Sequence, residues 1–241
     1  MALVLGLVLL LNVLPGGFLQ LAHLRWGLLV TQILFVAAPV LLAIRLFYLD
    51  ARAILPIRST GGAALLGSVL GILGLNHVLN FAQAWQERYF PMPEIWRRLF
   101  DELTTFNGAL DFSLLLMLVG VLPGVCEELL FRGFLQAGLR KSLESDTMAI
   151  VVGALVFAAF HLNPWTFASL LIIGLYLGLL VQRTRSLVPA MLAHALNNIQ
   201  SLVIATLNPR AQQAVVASAW SHALACLCLL AAALCLRRAP E

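Results

Sequence analysis

Residues 112–136 read FSLLLMLVGVLPGVCEELLFRGFLQ, and this stretch decides the fold class. Up to Val125 it is almost wholly apolar, which is the composition of a helix inside a membrane. Two carboxylates, Glu127 and Glu128, and the guanidinium of Arg132 then follow without a break in the apolar run. Ionisable groups in apolar surroundings are costly and are rarely tolerated without a partner or a function. The stretch therefore predicts a membrane helix that carries a site.

The rest of the chain has the same membrane character. Of its 241 residues 61% are hydrophobic and only 11% are charged, which is less than half of the roughly 25% charged residues in soluble domains. The sequence predicts an all-α polytopic transmembrane helix bundle of about eight spans. The candidate spans are 1–21, 26–48, 61–82, 111–132, 148–162, 166–182, 187–207 and 216–236. The fifth is shorter than the roughly 20 residues that cross a bilayer, so we expect it to be tilted, re-entrant or buried.

The charges of the chain describe its orientation and exclude some partners. The net charge is +4, and the basic residues of the short loops and the tail favour both termini in the cytoplasm by the positive-inside rule. They line helix ends and form no nucleic-acid patch, and the sequence has no phosphate loop or dinucleotide fingerprint. We therefore expect no nucleic-acid partner. The loop and tail set is Arg52, Arg58, Arg140, Lys141, Arg183, Arg185, Arg237 and Arg238.

One polar stretch has helical periodicity. Residues 94–106, EIWRRLFDELTTF, place Trp96 and Phe100 on one side of a helix, which predicts an amphipathic helix on the membrane surface. Its use stays open between an interfacial anchor and a rim that guides a membrane substrate.

The two carboxylates of the first charged motif point to different sides of the predicted helix. Glu128 and Arg132 are four residues apart, so they share a helix face and can form an ion pair. Glu127 is rotated by about 100° from Glu128 and does not share that geometry. A carboxylate left free in a low-dielectric site can serve as a base. The alternative is that both glutamates only balance Arg132 and its neighbours.

Two further polar groups lie in later spans. His161 ends the fifth span, with Phe157 on the same helix face, and His194 shares a face with Asn198 in the seventh span. Each alone is compatible with packing or interhelical hydrogen bonding. Together with Glu127, the set offers a general base, two imidazoles and an amide donor, which fits the hydrolysis of an amide.

The three motifs, in this order, resemble the CAAX prenyl endopeptidase and bacteriocin-processing (CPBP, Abi) family of intramembrane proteases. Its signature is E-E-x-x-x-R, F-x-x-x-H and H-x-x-x-N/D, and this chain has EELLFR at 127–132, FAAFH at 157–161 and HALNN at 194–198. The resemblance covers roughly 107–206. It implies a helical catalytic core there, preceded by membrane helices and the interfacial helix in 1–106, and followed by a membrane helix and basic tail in 207–241.

The resemblance also implies residue roles and a cellular setting. Glu127 and His161 would activate water, His194 and Asn198 would bind the oxyanion, and Glu128, Arg132 and Phe157 would support the site. The substrate would be a membrane-associated protein or peptide, cut at a C-terminal tail or a leader. The expected location is the bilayer of the bacterial inner membrane.

The sequence leaves an alternative open for the cofactor and for the function. Two histidines and a glutamate can bind a divalent metal such as zinc. The family is described as activating water directly with a glutamate and a histidine, so we expect no metal. A peptide-binding bacteriocin-immunity protein, a proton-coupled transporter and a structural subunit are the alternatives to a protease.

Overall fold

The computed structural model describes residues 1–207 and 218–237, and in these ranges the chain forms ten helices and no strand. Seven are long and apolar enough to cross a membrane, and α7 is apolar but short. The predicted all-α polytopic bundle is thereby confirmed, including the short fifth span. The helices are α1 Ala2–Ala22, α2 Leu24–Leu46, α3 Ala51–Ile54, α4 Gly62–Tyr89, α5 Glu94–Thr104, α6 Gly108–Leu143, α7 Asp146–Phe160, α8 Phe167–Thr184, α9 Val188–Ala205 and α10 Ala219–Arg237.

Several long helices contain a stretch of wide π-type turns. One such stretch contains Pro15, and Pro39 and Pro123 are each the second residue after the end of another. Proline has no N–H and its ring displaces the preceding carbonyls, so the helix locally widens. The wide turn at Leu129–Leu135 contains no proline and begins directly after Glu128. Wide turns of this kind are frequent at functional sites.

The core consists of two apolar clusters. One gathers around Phe131 of α6 and Phe157 of α7, whose rings meet edge to face at 5.1 Å. The other gathers around Leu177 and Leu180 of α8, next to Leu187 at the start of α9. The first cluster joins α1 and α2 to α6 and α7, and the second joins α4 to α8 and α9. The two clusters therefore connect the N-terminal helices to the C-terminal half of the bundle.

Two glycines of α6 bring this helix against α9. A Cβ atom on Gly124 would lie 2.8 Å from the backbone nitrogen of Ala195, and one on Gly120 would lie 2.6 Å from a side-chain carbon of Ile199. Neither distance is possible for a real side chain, so the close approach depends on glycine at both positions. One turn further along α6, this approach places Glu128 beside His194.

The periphery includes α5, which has no buried residue. Its Arg97 pairs with Glu87 of α4 at 2.6 Å, which fixes one end of the helix. The helix is amphipathic as predicted, and both uses considered for it stay predictions. The division of the chain at 106 and 206 also stays a prediction, and residues 208–217 and 238–241 of its third part, including Arg238, lie outside the described residues.

Candidate active site

The three motifs meet around one carboxylate oxygen. Glu127 lies in α6, His161 directly follows α7, and His194 lies in α9. The Oε2 atom of Glu127 is 3.8 Å from Nε2 of His161 and 3.9 Å from Nε2 of His194. The side chain of His161 is 29% exposed, whereas the other two are almost fully buried. The site is therefore enclosed by the bundle and accessible on the His161 side.

Glu128 holds two of the motifs together. Its Oε1 atom accepts hydrogen bonds from Nη1 of Arg132 and from Nδ1 of His194, both at 2.8 Å. The side chains of Glu128 and Arg132 are 0% and 2% exposed, so the predicted ion pair is confirmed and is completely buried. Charge-assisted bonds in such surroundings are short and directional. Glu128 thus fixes the imidazole of His194 relative to α6.

Phe157 supports this arrangement from α7. The guanidinium carbon of Arg132 lies 4.2 Å from the centre of the fully buried Phe157 ring, which is a cation–π contact. The same ring meets the imidazoles of His161 and His194 edge to face, at 4.8 and 5.7 Å. One aromatic ring therefore contacts the cation and both histidines, so a change in its size would affect all three.

The hydrogen bonds at Nδ1 determine which ring nitrogen of each histidine carries the proton. Nδ1 of His161 is 2.8 Å from the carbonyl oxygen of Phe157, and a carbonyl can only accept, so this nitrogen carries the proton. Nδ1 of His194 donates to Glu128 in the same way. In each neutral imidazole Nε2 is then a lone-pair acceptor facing Glu127 Oε2. That oxygen is buried and has no hydrogen-bond partner among the described residues.

Gln32 of α2 belongs to the site, although no motif indicated it. Its amide Nε2 donates a 2.7 Å hydrogen bond to Oε1 of Glu127, and both side chains are buried. Glu127 is therefore separate from Arg132, as predicted, but one of its oxygens is held by Gln32. The only sequence signal was an amide within the apolar run 26–48, and a single polar residue in such a span is not specific.

Asn198 is the site residue that the structure leaves apart from the carboxylate. Its Nδ2 donates to the carbonyl oxygen of Val119 at 3.2 Å, and its Oδ1 accepts from Asn197 at 2.8 Å. Val119 lies in the wide turn Leu116–Val121 of α6. An amide NH2 has two hydrogens, so Asn198 retains a second donor. Its predicted role in binding an oxyanion stays a prediction.

The donor set of the site matches the chemistry of zinc, but its geometry does not. Two ligands of one tetrahedral zinc ion are about 3.3 Å apart, whereas Glu127 Oε2 is 3.8 and 3.9 Å from the two imidazole nitrogens. Within residues 1–207 and 218–237, no group of three His, Cys, Asp or Glu side chains is arranged to hold a metal ion. As placed, these side chains do not share a zinc ion, and the expectation of a metal-free site stays a prediction.

Comparison with known families gives one match. The model for type II CAAX prenyl endopeptidase Rce1-like proteins matches residues 109–200, the segment that contains Glu127, His161 and His194. Neither the curated proteins nor the solved structures give a match. With its apolar helices, the chain is an integral membrane protein, and the match supports a protease of the CAAX endopeptidase kind. The resemblance that the three motifs indicated is confirmed for this segment, because residues 109–200 are similar to the type II CAAX prenyl endopeptidase Rce1-like family.

Proposed function

We propose that this chain is an intramembrane endopeptidase that hydrolyses a peptide bond of a membrane-associated protein or peptide with a water activated by Glu127. One observation carries the proposal. The Oε2 atom of Glu127 is buried and unpaired among the described residues, and it faces the Nε2 atoms of histidines from two other helix segments. Three acceptors facing one point favour a molecule that donates hydrogen bonds, and water is the donor that hydrolysis consumes.

The first step is proton transfer to the carboxylate. Glu127 Oε2 takes a proton from the substrate water, while His161 Nε2 accepts the second hydrogen and orients the oxygen. The hydroxide attacks the carbonyl carbon of the scissile bond, and the protonated Glu127 then delivers its proton to the leaving nitrogen. Gln32 holds the other oxygen of Glu127 throughout, so the carboxylate keeps its orientation.

The attack of hydroxide leaves a negative charge on the carbonyl oxygen, which a hydrogen-bond donor must stabilise. The buried cluster contains two carboxylates and one guanidinium, so it can take up a further proton when the substrate binds. A proton taken up at that stage on Nε2 of His194 would turn this acceptor into a donor for the oxyanion, and Glu128 would stabilise the resulting imidazolium through Nδ1. The second amide hydrogen of Asn198 is the other donor that the family resemblance assigns.

The setting follows from the surroundings of the site. Because the site is enclosed by apolar helices, a substrate reaches it from the bilayer or from a chain end inserted into the bundle. We propose a C-terminal tail or a leader peptide as the substrate, and the bacterial inner membrane as the location. Both rest on the family resemblance.

The experiment compares Glu127→Gln with the intact chain by terminus-resolved proteomics of expressing membranes. We expect new peptide ends only with the intact chain and a loss of turnover of at least about 100-fold in the variant. The fold should persist, because the new amide can donate to the lone pairs on the histidines. Glu102→Gln, at an exposed position of α5, is the matched control.

Near-normal turnover of Glu127→Gln would show that this carboxylate is not the base. Identical peptide ends with the intact chain and the folded variant would favour peptide sequestration or transport over hydrolysis.

A further inference from the structure

A second polar region lies at the other end of α7 from His161. A cavity of about 730 Å³ opens between α3, the start of α4, the C-terminal part of α6, the start of α7 and the end of α8. This volume is within the range of ligand sites. None of Glu127, His161 and His194 lines the cavity, although Arg132, the ion-pair partner of Glu128, does. The cavity therefore adjoins the candidate active site without containing its reacting groups.

The cavity is strongly basic. Arg52, Arg58, Arg140 and Arg185 line it, and Asp146 is its one acidic lining residue. Within 4 Å, the carboxylates of the described residues pair with only one of these four arginines, Arg140, at 3.6 Å from Asp146. The lining therefore retains an excess of positive charge, which favours an anion.

Uncharged donors add to this charge. The Oγ1 atom of Thr60 is buried and has no hydrogen-bond partner among the described residues, and Thr60 lines the cavity. The long helix α4 begins at Gly62 without a side-chain cap, and a Cβ atom on Gly61 or Gly62 would meet nothing within 4 Å. The N–H groups of Ala64 and Leu65 bond to the carbonyl oxygen of Gly61, whereas those of Gly62 and Ala63 have no hydrogen bond among the described residues. A helix N-terminus with such N–H groups favours phosphate.

The cavity also extends into the apolar interior. Its lining includes Arg132 and Gln136, and Arg132 lies about 12 Å along α6 from Arg140 at 1.5 Å per residue. Ile54, Pro56 and Val181 line the same space. A basic entrance above partly apolar walls fits a molecule with an anionic head and an apolar part. Basic pockets between membrane helices are typical of anionic lipid headgroups.

We propose that this cavity binds a phosphate group, and that the source is an anionic phospholipid. The arginines lie at helix ends, where the phosphates of the bilayer lie, and the apolar walls accept the start of the acyl region. A soluble phosphate would offer the same anion to the arginines. The test therefore distinguishes an anionic phospholipid from inorganic phosphate.

The test uses the full chain, stripped of lipid in detergent, and follows Tm during titration. The additions are phosphatidylglycerol, phosphatidylcholine and inorganic phosphate. The variant Arg58→Gln/Arg185→Gln removes two cavity charges. The control Lys141→Gln/Arg183→Gln removes two exposed charges of neighbouring helix ends that do not line the cavity. Both pairs change the net charge equally and lie outside the active site.

We expect phosphatidylglycerol to raise Tm of the intact chain and of the control, and the cavity variant to need about 30-fold more of this lipid for the same shift. Phosphatidylcholine should have little effect. If inorganic phosphate alone raises Tm as much as the lipid does, the cavity is a phosphate site but its ligand is a soluble phosphate, and the lipid source is wrong. The proposal is wrong if neither anion protects the intact chain, or if the cavity variant and the control respond alike.

Discussion

Removing the carboxylate of Glu128 should destabilise the protein more than any exposed substitution, because it isolates a buried cation. In Glu128→Ala, the guanidinium of Arg132 loses a partner at 2.8 Å, and the side chain is only 2% exposed. Breaking a buried ion pair by removing one partner costs about 3–5 kcal/mol. The bond to Gly174 and the contact with Phe157 exist in both proteins, so they do not offset this loss.

The expected change is large enough for a simple assay. For a chain of this size, each kcal/mol shifts Tm by about 2–4 °C, so Glu128→Ala should lower Tm by about 6–20 °C. The assay is thermal unfolding in detergent, with abundance in membranes as a second readout.

A second variant separates the charge from the lost volume. In Glu128→Leu/Arg132→Met, apolar groups of similar size replace both ions, and such replacements are often neutral or stabilising. This pair should therefore recover most of the lost Tm. A Tm change below about 2 °C for Glu128→Ala, or a double variant no more stable than the single one, would refute this account of the ion pair.

Other consequences of the structure can be measured separately. Gln32→Leu should lower kcat while KM holds, because Glu127 loses a hydrogen bond of the kind worth about 1.5–3 kcal/mol; unchanged kcat would remove Gln32 from the site. Gly124→Ala should lower both Tm and activity, because the new Cβ would lie 2.8 Å from the nitrogen of Ala195, whereas Gly153→Ala, with open space around it, should leave activity unchanged. Equal effects of the two alanines would contradict the packing argument. Activity should survive a strong chelator, and a loss that added zinc restores would overturn the expected metal-free site.

The membrane fold could be predicted from the sequence because its signals are local. Apolar blocks and the four-residue spacing of Glu128 and Arg132 are properties of single helices, and both were confirmed. The wide turns were not predicted, because they depend on how each helix fits its neighbours as well as on proline. The turn at Leu129–Leu135 has no local sequence signal at all.

The site could be predicted only where a motif contained its residues. The spacing within each motif placed His161 and His194 on defined faces, and the structure brings both to Glu127. Gln32 was missed because its contact joins α2 to α6, and such a contact depends on helix docking, which one sequence does not encode locally. For the same reason, spacing within α9 did not show that Asn198 would bond to Val119.

The length of α6 has a consequence for any substrate. The helix has 36 residues, or about 54 Å at 1.5 Å per residue, against a hydrocarbon core of about 30 Å. Measured along it, Glu127 is about 24 Å from Asp111 and about 20 Å from Arg140, so the carboxylate is roughly equally far from the two polar ends of this helix. An extended chain spans about 3.3 Å per residue, so a peptide entering from either surface needs roughly six or seven extended residues before the bond to be cut. A helical substrate must give up its own backbone hydrogen bonds over that length, in surroundings without water to replace them. Substrates with glycine or proline beside the cleaved bond should therefore be cut faster than those with a regular apolar helix.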